Sequence, residues 1–331
     1  MMNNILDIWS NIEQTNETGL LKRLYTSETE LHIYGIFQNP EKYCGIALSF
    51  SKDIYVDILS FSNLRDLQVS LQPDTSFFKN NMLIIKLLQY ENRDVFAVMC
   101  ENMVQSVITL HSEKQVVQTI LNQLEKWQSL FEKMKGDGLT FYEQQGLYGE
   151  LHFLQKLIAK QNIILALNSW VGTEKGIRDF QYNDWAVEVK TTSGNNHQKV
   201  NINNERQLDE TMLKNLFLFH LSVEVAKKNG ENLNFKINLI RESLKNDIMF
   251  LNIFNKKLLE AGYFEKHAYL YDERCYQIRN ENYYRIDGEF PRIKEKEIRN
   301  GVGDVRYSII LSHCNDYLVD EMSVLNTIES I

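Results

Sequence analysis

Two acids and a lysine, Asp179, Glu188 and Lys190, have the residue types and the spacing of a site that could bind a metal ion. In a β-hairpin with a two-residue turn, Asp179 lies directly opposite Glu188, and Lys190 shares the face of Glu188. Directly opposed side chains are roughly 5 Å apart. Two carboxylates that close repel each other by about 4 kcal/mol at an effective dielectric constant near 20. We therefore expect a cation to hold them together.

The segment around these residues has the alternation of a hairpin. The runs "IRDFQY" and "WAVEVKTT" predict its two strands. Asn183 and Asp184 predict the turn between them, because both residue types tolerate the left-handed backbone that tight hairpins require. Tyr182 then pairs with Trp185, and the valines of the second strand lie on the face opposite to Glu188. This apolar second face favours a half-buried hairpin over one that lies on the surface with a simple ion pair.

A helix predicted over residues 140–161 brings a third acid. Glu150 falls inside the apolar stripe of this helix, and a carboxylate there is costly unless it is paired or binds a cation. Gly146 and Gly149 remove side-chain bulk, so we expect the helix to approach another backbone closely. The alternative is that Glu150 lies at the edge of the stripe and reaches solvent or a lysine.

This arrangement of a helix acid, an Asp strand and a Glu-x-Lys strand resembles the PD-(D/E)XK phosphodiesterase superfamily, which has the restriction-endonuclease-like fold. More narrowly, five blocks resemble a bacterial family described as PD-(D/E)XK members. The blocks are discontinuous between Gly146 and Tyr307, and the first two are the most specific. They read "GLYGELHFL", "RDFQYNDWAVEVKTT", "NERQLDE", "FPRIKEKEI" and "GVGDVRYSI".

The resemblance implies a role for each matching residue. Asp179 and Glu188 would ligate Mg²⁺ or Mn²⁺, and Glu150 would support that metal ion or a second one. Lys190 would orient the attacking water and stabilise charge on the phosphate. Gln207 lies where some members of the superfamily place a residue near the phosphate. Together these assignments imply a metal-dependent endonuclease.

One position departs from the motif, and several cations are candidates for contacts with the substrate. Arg178 stands where the motif has its proline; that proline is often absent in the superfamily. The loop "SGNNHQ" and a basic run near the C-terminus are expected to contact the nucleic-acid backbone. The alternative for the basic run is a solvated face that also carries Glu295 and Glu297. The candidate substrate-binding cations are Lys199, Arg292, Lys294, Lys296, Arg299 and Arg306.

The amino-acid composition limits the classes of protein to which the chain can belong. The 331 residues are 44% hydrophobic and 24% charged, as in ordinary soluble globular proteins. The net charge of −8 argues against binding nucleic acid by bulk electrostatics, although a local patch and a metal ion remain compatible with it. No secretory signal or membrane-spanning run is visible. Scattered cysteines and histidines favour reduced thiols and oxygen-ligated metal over a disulfide framework or a zinc site. We expect a cytoplasmic protein.

The pattern of hydrophobic and polar residues divides the chain into three zones. Residues 1–112 predict a β-rich N-terminal lobe that begins with a short helix and continues with strands. Residues 113–229 predict the nuclease-like core, and residues 230–331 predict an α+β C-terminal lobe with two helices, the second ending at Gly262. The strands expected in the first zone are "ELHIYGIF", "CGIALSF", "YVDILSF", "MLIIKLLQY" and "VFAVMC".

The core zone predicts an αβββαβ order in an α+β or α/β fold of the restriction-endonuclease type. A helix over residues 113–134 and a break at 135–138 precede the helix that bears Glu150. "NIILALNSW" predicts a strand before the hairpin. "KVNINNERQLDE" predicts a short strand and then a helix capped by Asn203 or Asn204. "NLFLFHLSVEV" predicts a buried strand that completes the core.

The sequence therefore predicts a Mg²⁺- or Mn²⁺-dependent nuclease, for which DNA is the favoured substrate by analogy with the fold. A restriction or defence role is an expectation from the resemblance, as are a homodimer or a partner subunit. One alternative is a catalytically silent protein of this fold that acts as a structural or nucleic-acid-binding subunit. The other is a carboxylate-pair glycosidase, which needs acids about 5 to 9 Å apart and a sugar cleft. The companion Lys190 disfavours it.

Overall fold

Helices and mainly antiparallel strands make up the computed structural model, which describes residues 4–15, 17–61, 66–133, 137–160, 162–174, 176–194, 198–227 and 229–329. The chain divides into two units, one of residues 1–136 with 264–266 and one of 137–263 with 267–331. The mixture of helices and sheets makes it an α+β protein, as predicted. The domain boundaries predicted at residues 112 and 229 stay predictions, because compactness does not test where an independently folding domain ends.

The first unit is built on a five-stranded antiparallel sheet with the strand order β1-β2-β3-β5-β4. Helices line one side of its core, where residues such as Ile46 and Leu48 are fully buried. The predicted strands "ELHIYGIF", "CGIALSF" and "MLIIKLLQY" are confirmed as β2, β3 and β5. The elements are α1 (Ile5–Glu13), β1 (Gly19–Thr26), β2 (His32–Asn39), β3 (Tyr43–Ser51), β4 (Leu67–Pro73), β5 (Asn80–Leu87), α2 (Arg93–Gln105) and α3 (Glu113–Lys133).

Two strand predictions in this unit are wrong. The run "VFAVMC" lies inside α2, where Val95, Phe96, Met99 and Met103 are buried at helical spacing. Six residues are too few to separate that spacing from a continuous buried strand. The run "YVDILSF" forms no strand and ends in a 3-10 turn at Leu59–Phe61.

The second unit contains a mixed sheet with the strand order β10-β11-β9-β7-β6 and with β13 beside β11. Strand β7 is parallel to β9, and the other neighbours are antiparallel. A separate two-stranded sheet pairs β8 with β12. The strands are β6 (Phe180–Tyr182), β7 (Trp185–Ser193), β8 (Lys199–Ile202), β9 (Asn215–Lys227), β10 (Glu231–Asn232), β11 (Arg274–Arg285), β12 (Tyr307–Ile310) and β13 (Leu318–Val319).

The two faces of β7 have different partners because its side chains alternate. Val187 and Val189 belong to the large core formed with the helices, whereas Ala186 belongs to the cluster that includes residues of β8 and β12. Glu188 and Lys190 share the alternation of Ala186, so they lie on the face opposite to the large core. The helices of this unit are α4 (Phe141–Lys160), α5 (Ile163–Ser169), α6 (Leu233–Leu244), α7 (Ile248–Glu260) and α8 (Glu321–Glu329).

The strand predicted at "NIILALNSW" is wrong, because this run forms α5. The Asn162 side chain caps the helix by accepting from the backbone N–H of Ile164, and this cap together with the burial of Ala166 and Leu167 outweighs the strand preference of the isoleucines. Only Trp170 makes a β-bridge, to Phe180. In place of the first of the three expected core strands, the structure has a helix followed by a single β-bridge. A restriction-endonuclease-like core therefore stays a proposal.

Other predictions around the core hold in part. The hairpin, the buried β9 and the helices α6 and α7 are confirmed, and Gly262 follows α7 with a φ of +88°. After β8 the predicted helix is only a 3-10 turn, Glu205–Leu208, capped by Asn204. The break predicted at 135–138 lies partly outside the described residues. Within the described part of the chain, no helix combines the length and the apolar character that crossing a bilayer requires.

Candidate active site

The hairpin has the register that its turn predicts. Tyr182 pairs with Trp185 and Phe180 with Val187, and Asn183 has the left-handed φ of +48°. The β6–β7 ladder ends at Phe180, so Asp179 lies just beyond it, whereas Glu188 lies within β7 and pairs with Leu218 of β9. The two acids are thus adjacent in register, with Glu188 on a fixed strand and Asp179 at its edge.

Backbone groups hold Asp179 on both sides. Its Oδ2 accepts a hydrogen bond of 2.7 Å from the N–H of Val189, and its carbonyl oxygen accepts bonds of 2.9 Å from Val171 and from Gly172. Burial raises the pKa of Asp179, against the opposing charge of Lys190 and the N–H of Val189. The half-buried carboxylate is therefore held in place by neutral donors while its ionised form is disfavoured.

Glu188 and Lys190 form a buried ion pair that satisfies only one carboxylate oxygen. Lys190 Nζ lies 2.8 Å from Glu188 Oε1, and Oε2 has neither a hydrogen bond nor an ion pair within the described part of the chain. Burial, and then the charge of Asp179, raise the pKa of Glu188 to about 8 against the charge of Lys190. Burial works to lower the pKa of Lys190, but these two carboxylates raise it overall.

Glu150, on α4, lies close enough to Asp179, Glu188 and Lys190 to interact with their charges. Its Oε2 accepts a hydrogen bond of 2.7 Å from the indole N–H of Trp170. Burial, and next the charge of Asp179, raise the pKa of Glu150 well above its usual range. Helix α4 comes close to β7 at Gly149, where an added Cβ would lie 3.1 Å from the Cβ of Thr191. The close approach expected of Gly149 is found, whereas Gly146 has no neighbour within 4 Å of such a Cβ.

The structure brings one of the predicted substrate-binding residues to this cluster. Gln207 Oε1 accepts hydrogen bonds from Lys190 Nζ at 3.4 Å and from the N–H of Asn203 at 3.0 Å. Lys199 and Arg306 are exposed near the two ends of the β8–β12 pair.

Some of the predicted cations are already paired. The Arg292 side chain is buried and lies 2.8 Å from Glu210 Oε2, and Lys294 lies 2.6 Å from Glu210 Oε1. Lys296 and Arg299 are exposed. Residues 195–197 of the "SGNNHQ" loop lie outside the described residues.

Sequence reasoning missed two residues that surround the acids. Buried Arg178 donates to the backbone carbonyls of Arg206, Gln207 and Asp209, so it fixes the 3-10 turn that carries Gln207. Its charge also opposes the rise in the pKa of Glu188. Trp170 holds Glu150, as described above. No sequence pattern identifies these contacts, because the partners are distant along the chain.

The donor set fits a hard divalent cation. Asp179, Glu188 and Glu150 offer only carboxylate oxygens, and the buried Oε2 of Glu188, which has no hydrogen-bond partner within the described residues, could serve as a ligand atom. Within the described residues, no three His, Cys, Asp or Glu side chains form a ready-made metal cage. Mg²⁺ seldom needs one, because it commonly uses one or two carboxylates and fills its shell with water and substrate phosphate.

Comparison with known proteins gives one match. The model of a family described as "Putative PD-(D/E)XK family member (DUF4420)" matches residues 5–312. No curated protein and no solved structure matches the chain. The matched range contains Glu150, Asp179, Glu188 and Lys190.

Proposed function

The chain belongs to this PD-(D/E)XK family, and from that premise we propose that it is a divalent-metal-dependent nuclease. The observation that carries the proposal is the buried pair of Glu188 and Lys190 next to Asp179 and Glu150. Three carboxylates with raised pKa values and a single lysine are unfavourable in a metal-free protein. Such a cluster is typical of a functional site and is hard to explain as a structural ion pair.

Each side chain has a role in phosphodiester hydrolysis. Asp179 and Glu188 would hold a Mg²⁺ or Mn²⁺ ion, with Glu150 supporting it. A bound divalent ion lowers the pKa of water and offsets the negative charge that builds up on the phosphate. Lys190 carries a mobile point charge suited to the phosphate oxygens or to orienting the attacking water. Gln207 accepts from Lys190 Nζ and so limits where that charge can lie.

We propose DNA as the substrate, in a cytoplasmic restriction or defence system. DNA is favoured over RNA because most members of the superfamily fold cut DNA. The net charge of −8 means that substrate contacts must be local, and exposed Lys199 and Arg306 are the candidates near β8 and β12. A homodimer or a partner subunit would supply the sequence recognition that the chain does not show.

The test is calorimetric titration of Mn²⁺ and Mg²⁺ into the wild type and into Asp179→Ala. We expect the wild type to bind the ions and the variant to lose that binding, because one of two principal ligands is gone. Cleavage of DNA substrates should then need the metal and be abolished in Lys190→Ala. Absence of metal binding by the folded wild type, both alone and with DNA present, would contradict the proposal.

A second candidate is a catalytically silent nuclease-fold protein that binds nucleic acid or a partner. The observation that favours it is that Lys190 already neutralises Glu188, while no three-residue metal cage exists among the described residues. The same titration separates the two, because we expect a silent protein to bind neither Mn²⁺ nor Mg²⁺.

A further inference from the structure

We propose that the segment Trp170–Gly172 is a positioning element that fixes Glu150 and Asp179 relative to each other, with Trp170 as its principal residue. The two acids come from different elements, the helix α4 and the entry to β6. One short segment contacts both of them. The catalytic consequence rests on the proposed function, whereas the contacts themselves do not.

Trp170 holds Glu150 with a neutral donor. Its indole N–H donates to Glu150 Oε2 at 2.7 Å, and its ring is fully buried, stacked on Phe180 at a centroid distance of 6.4 Å and tilted against Phe254 at 6.2 Å. A ring packed on two sides cannot swing away from the carboxylate. Because the donor carries no charge, it orients the acid without competing electrostatically with a metal ion for it.

The next two residues hold Asp179. The N–H groups of Val171 and Gly172 both donate to the Asp179 carbonyl at 2.9 Å. A Cβ at Gly172 would lie 3.0 Å from Asp179 Oδ1 and 3.0 Å from its Cα. Only glycine therefore leaves the carboxylate its present place, and the segment lies directly against the acid.

A buried lysine anchors the segment from α7. Lys257 Nζ donates to the Trp170 carbonyl at 2.7 Å and to Glu174 Oε1 at 2.7 Å. An ammonium group that is only 4% exposed must keep such partners, because losing them would leave a buried charge uncompensated. The segment is thus tied on both sides of Gly172 by a residue other than the acids.

The contact itself can be tested without metal or substrate. Each of the four tryptophans gives one indole N–H signal in a ¹H–¹⁵N NMR spectrum, and Trp170→Phe assigns one of them. We expect Glu150→Ala to move the Trp170 indole proton upfield and to speed its exchange with solvent. Glu143→Ala, two turns earlier on the same helix, is the control and should leave the signal in place. An unchanged Trp170 signal in Glu150→Ala overturns the proposal.

The functional consequence has a matched control in Trp185. This tryptophan is also fully buried in the same core cluster, but its indole nitrogen has no hydrogen-bond partner within the described residues. We expect Trp170→Phe to weaken Mn²⁺ binding by about 10- to 100-fold, as losses of such supporting contacts commonly do, and Trp185→Phe to stay close to the wild type. An equal loss in both variants would mean that ring volume alone matters, and it would overturn the assignment.

Kinetics and an isosteric residue complete the test. Trp170→Phe should lower kcat with little change in KM for DNA, because Trp170 does not face the substrate. If that variant fails to fold, 3-benzothienylalanine at position 170 replaces only the N–H by sulfur and should give the same loss; full activity with it would contradict the proposal. A wild type that neither binds Mn²⁺ nor cleaves DNA refutes the proposed function, and the indole signal still decides the positioning contact.

Discussion

Lys190 is the charged partner of Glu188. Its ammonium contacts one carboxylate oxygen, and the other has no hydrogen-bond partner within the described residues, so a divalent ion bound there as proposed would lie beside a positive charge. A doubly charged ion about 5 Å from that ammonium is repelled by roughly 1–2 kcal/mol even at the dielectric constant of water. If the site binds a metal ion as proposed, we therefore expect Lys190 to limit its affinity.

The variant Lys190→Met separates these two effects. We expect it to bind Mn²⁺ up to about tenfold more tightly at pH 8.5, because the repulsion estimated above disappears, and to lose cleavage. Calorimetry and a DNA cleavage assay measure the two quantities. Lys227→Met, which removes an exposed lysine at the end of β9, is the control for nonspecific charge effects. Weaker binding by Lys190→Met would show that the lysine helps to assemble the metal site.

At the scale of residues, spacing along the chain predicted which candidate side chains lie together but not which residues support them. Asp179 directly precedes β6, and Glu188 and Lys190 lie in β7, so strand alternation and turn length were enough to predict that they are neighbours. The hydrogen bond from Trp170 to Glu150 spans twenty residues, and the bonds from Arg178 reach a turn about thirty residues away. Contacts of that kind depend on tertiary packing, which no local pattern encodes.

At the scale of elements, the distance between α4 and β7 is set by a glycine. A Cβ at Gly149 would overlap Thr191 Oγ1 and lie 3.1 Å from Thr191 Cβ, whereas one at Gly146 meets nothing within 4 Å. We expect Gly149→Ala to lower the free energy of unfolding by on the order of 1–3 kcal/mol through overpacking.

Gly146→Ala is the matched control on the same helix. It should raise the free energy of unfolding by up to about 1 kcal/mol, because alanine restricts the unfolded chain and favours helix. Urea denaturation of both variants measures the difference. Two stabilised variants would mean that α4 can move away from β7 without loss, and the close approach would then have no structural role.

Helices and strands were predictable where the hydrophobic pattern extended over several turns or the turn residues were specific. The hairpin register followed from alternation and from a two-residue turn, and α4 followed from several turns of apolar spacing. The runs that became α2 and α5 were misassigned because short apolar windows rich in branched residues fit both a strand and a buried helix. The parallel pairing of β7 with β9 depends on a crossover that sequence alone does not reveal.

At the scale of the whole molecule, the buried acids tie stability to pH. Burial raises the pKa of Glu188 from an ordinary value of 4.5 to about 8, so the folded protein binds a proton more tightly than the unfolded chain. The resulting contribution to stability is complete below pH 4.5 and is lost as the pH rises through 8. The metal-free protein therefore becomes less stable across this range.

Thermal unfolding between pH 5 and pH 8.5 tests this linkage. We expect the Tm of the metal-free wild type to fall with rising pH, corresponding to a few kcal/mol, and Mn²⁺ to restore it more at pH 8 than at pH 5.5. Glu188→Gln, which cannot ionise, should show a flatter profile and little response to Mn²⁺. Parallel profiles for the wild type and this variant would contradict the linkage.

The two-residue turn of the hairpin also limits which insertions and deletions this part of the chain tolerates. Side chains on a strand alternate with a period of two, so one inserted or deleted residue between Tyr182 and Trp185 would shift β6 by one position against β7. If the turn keeps two residues, an insertion would place Phe180 opposite Glu188 and a deletion would place Arg178 there, and in both cases Asp179 would move to the opposite face, towards the apolar core. We therefore expect the length of this turn to matter more for the pairing of Asp179 and Glu188 than the identity of its residues.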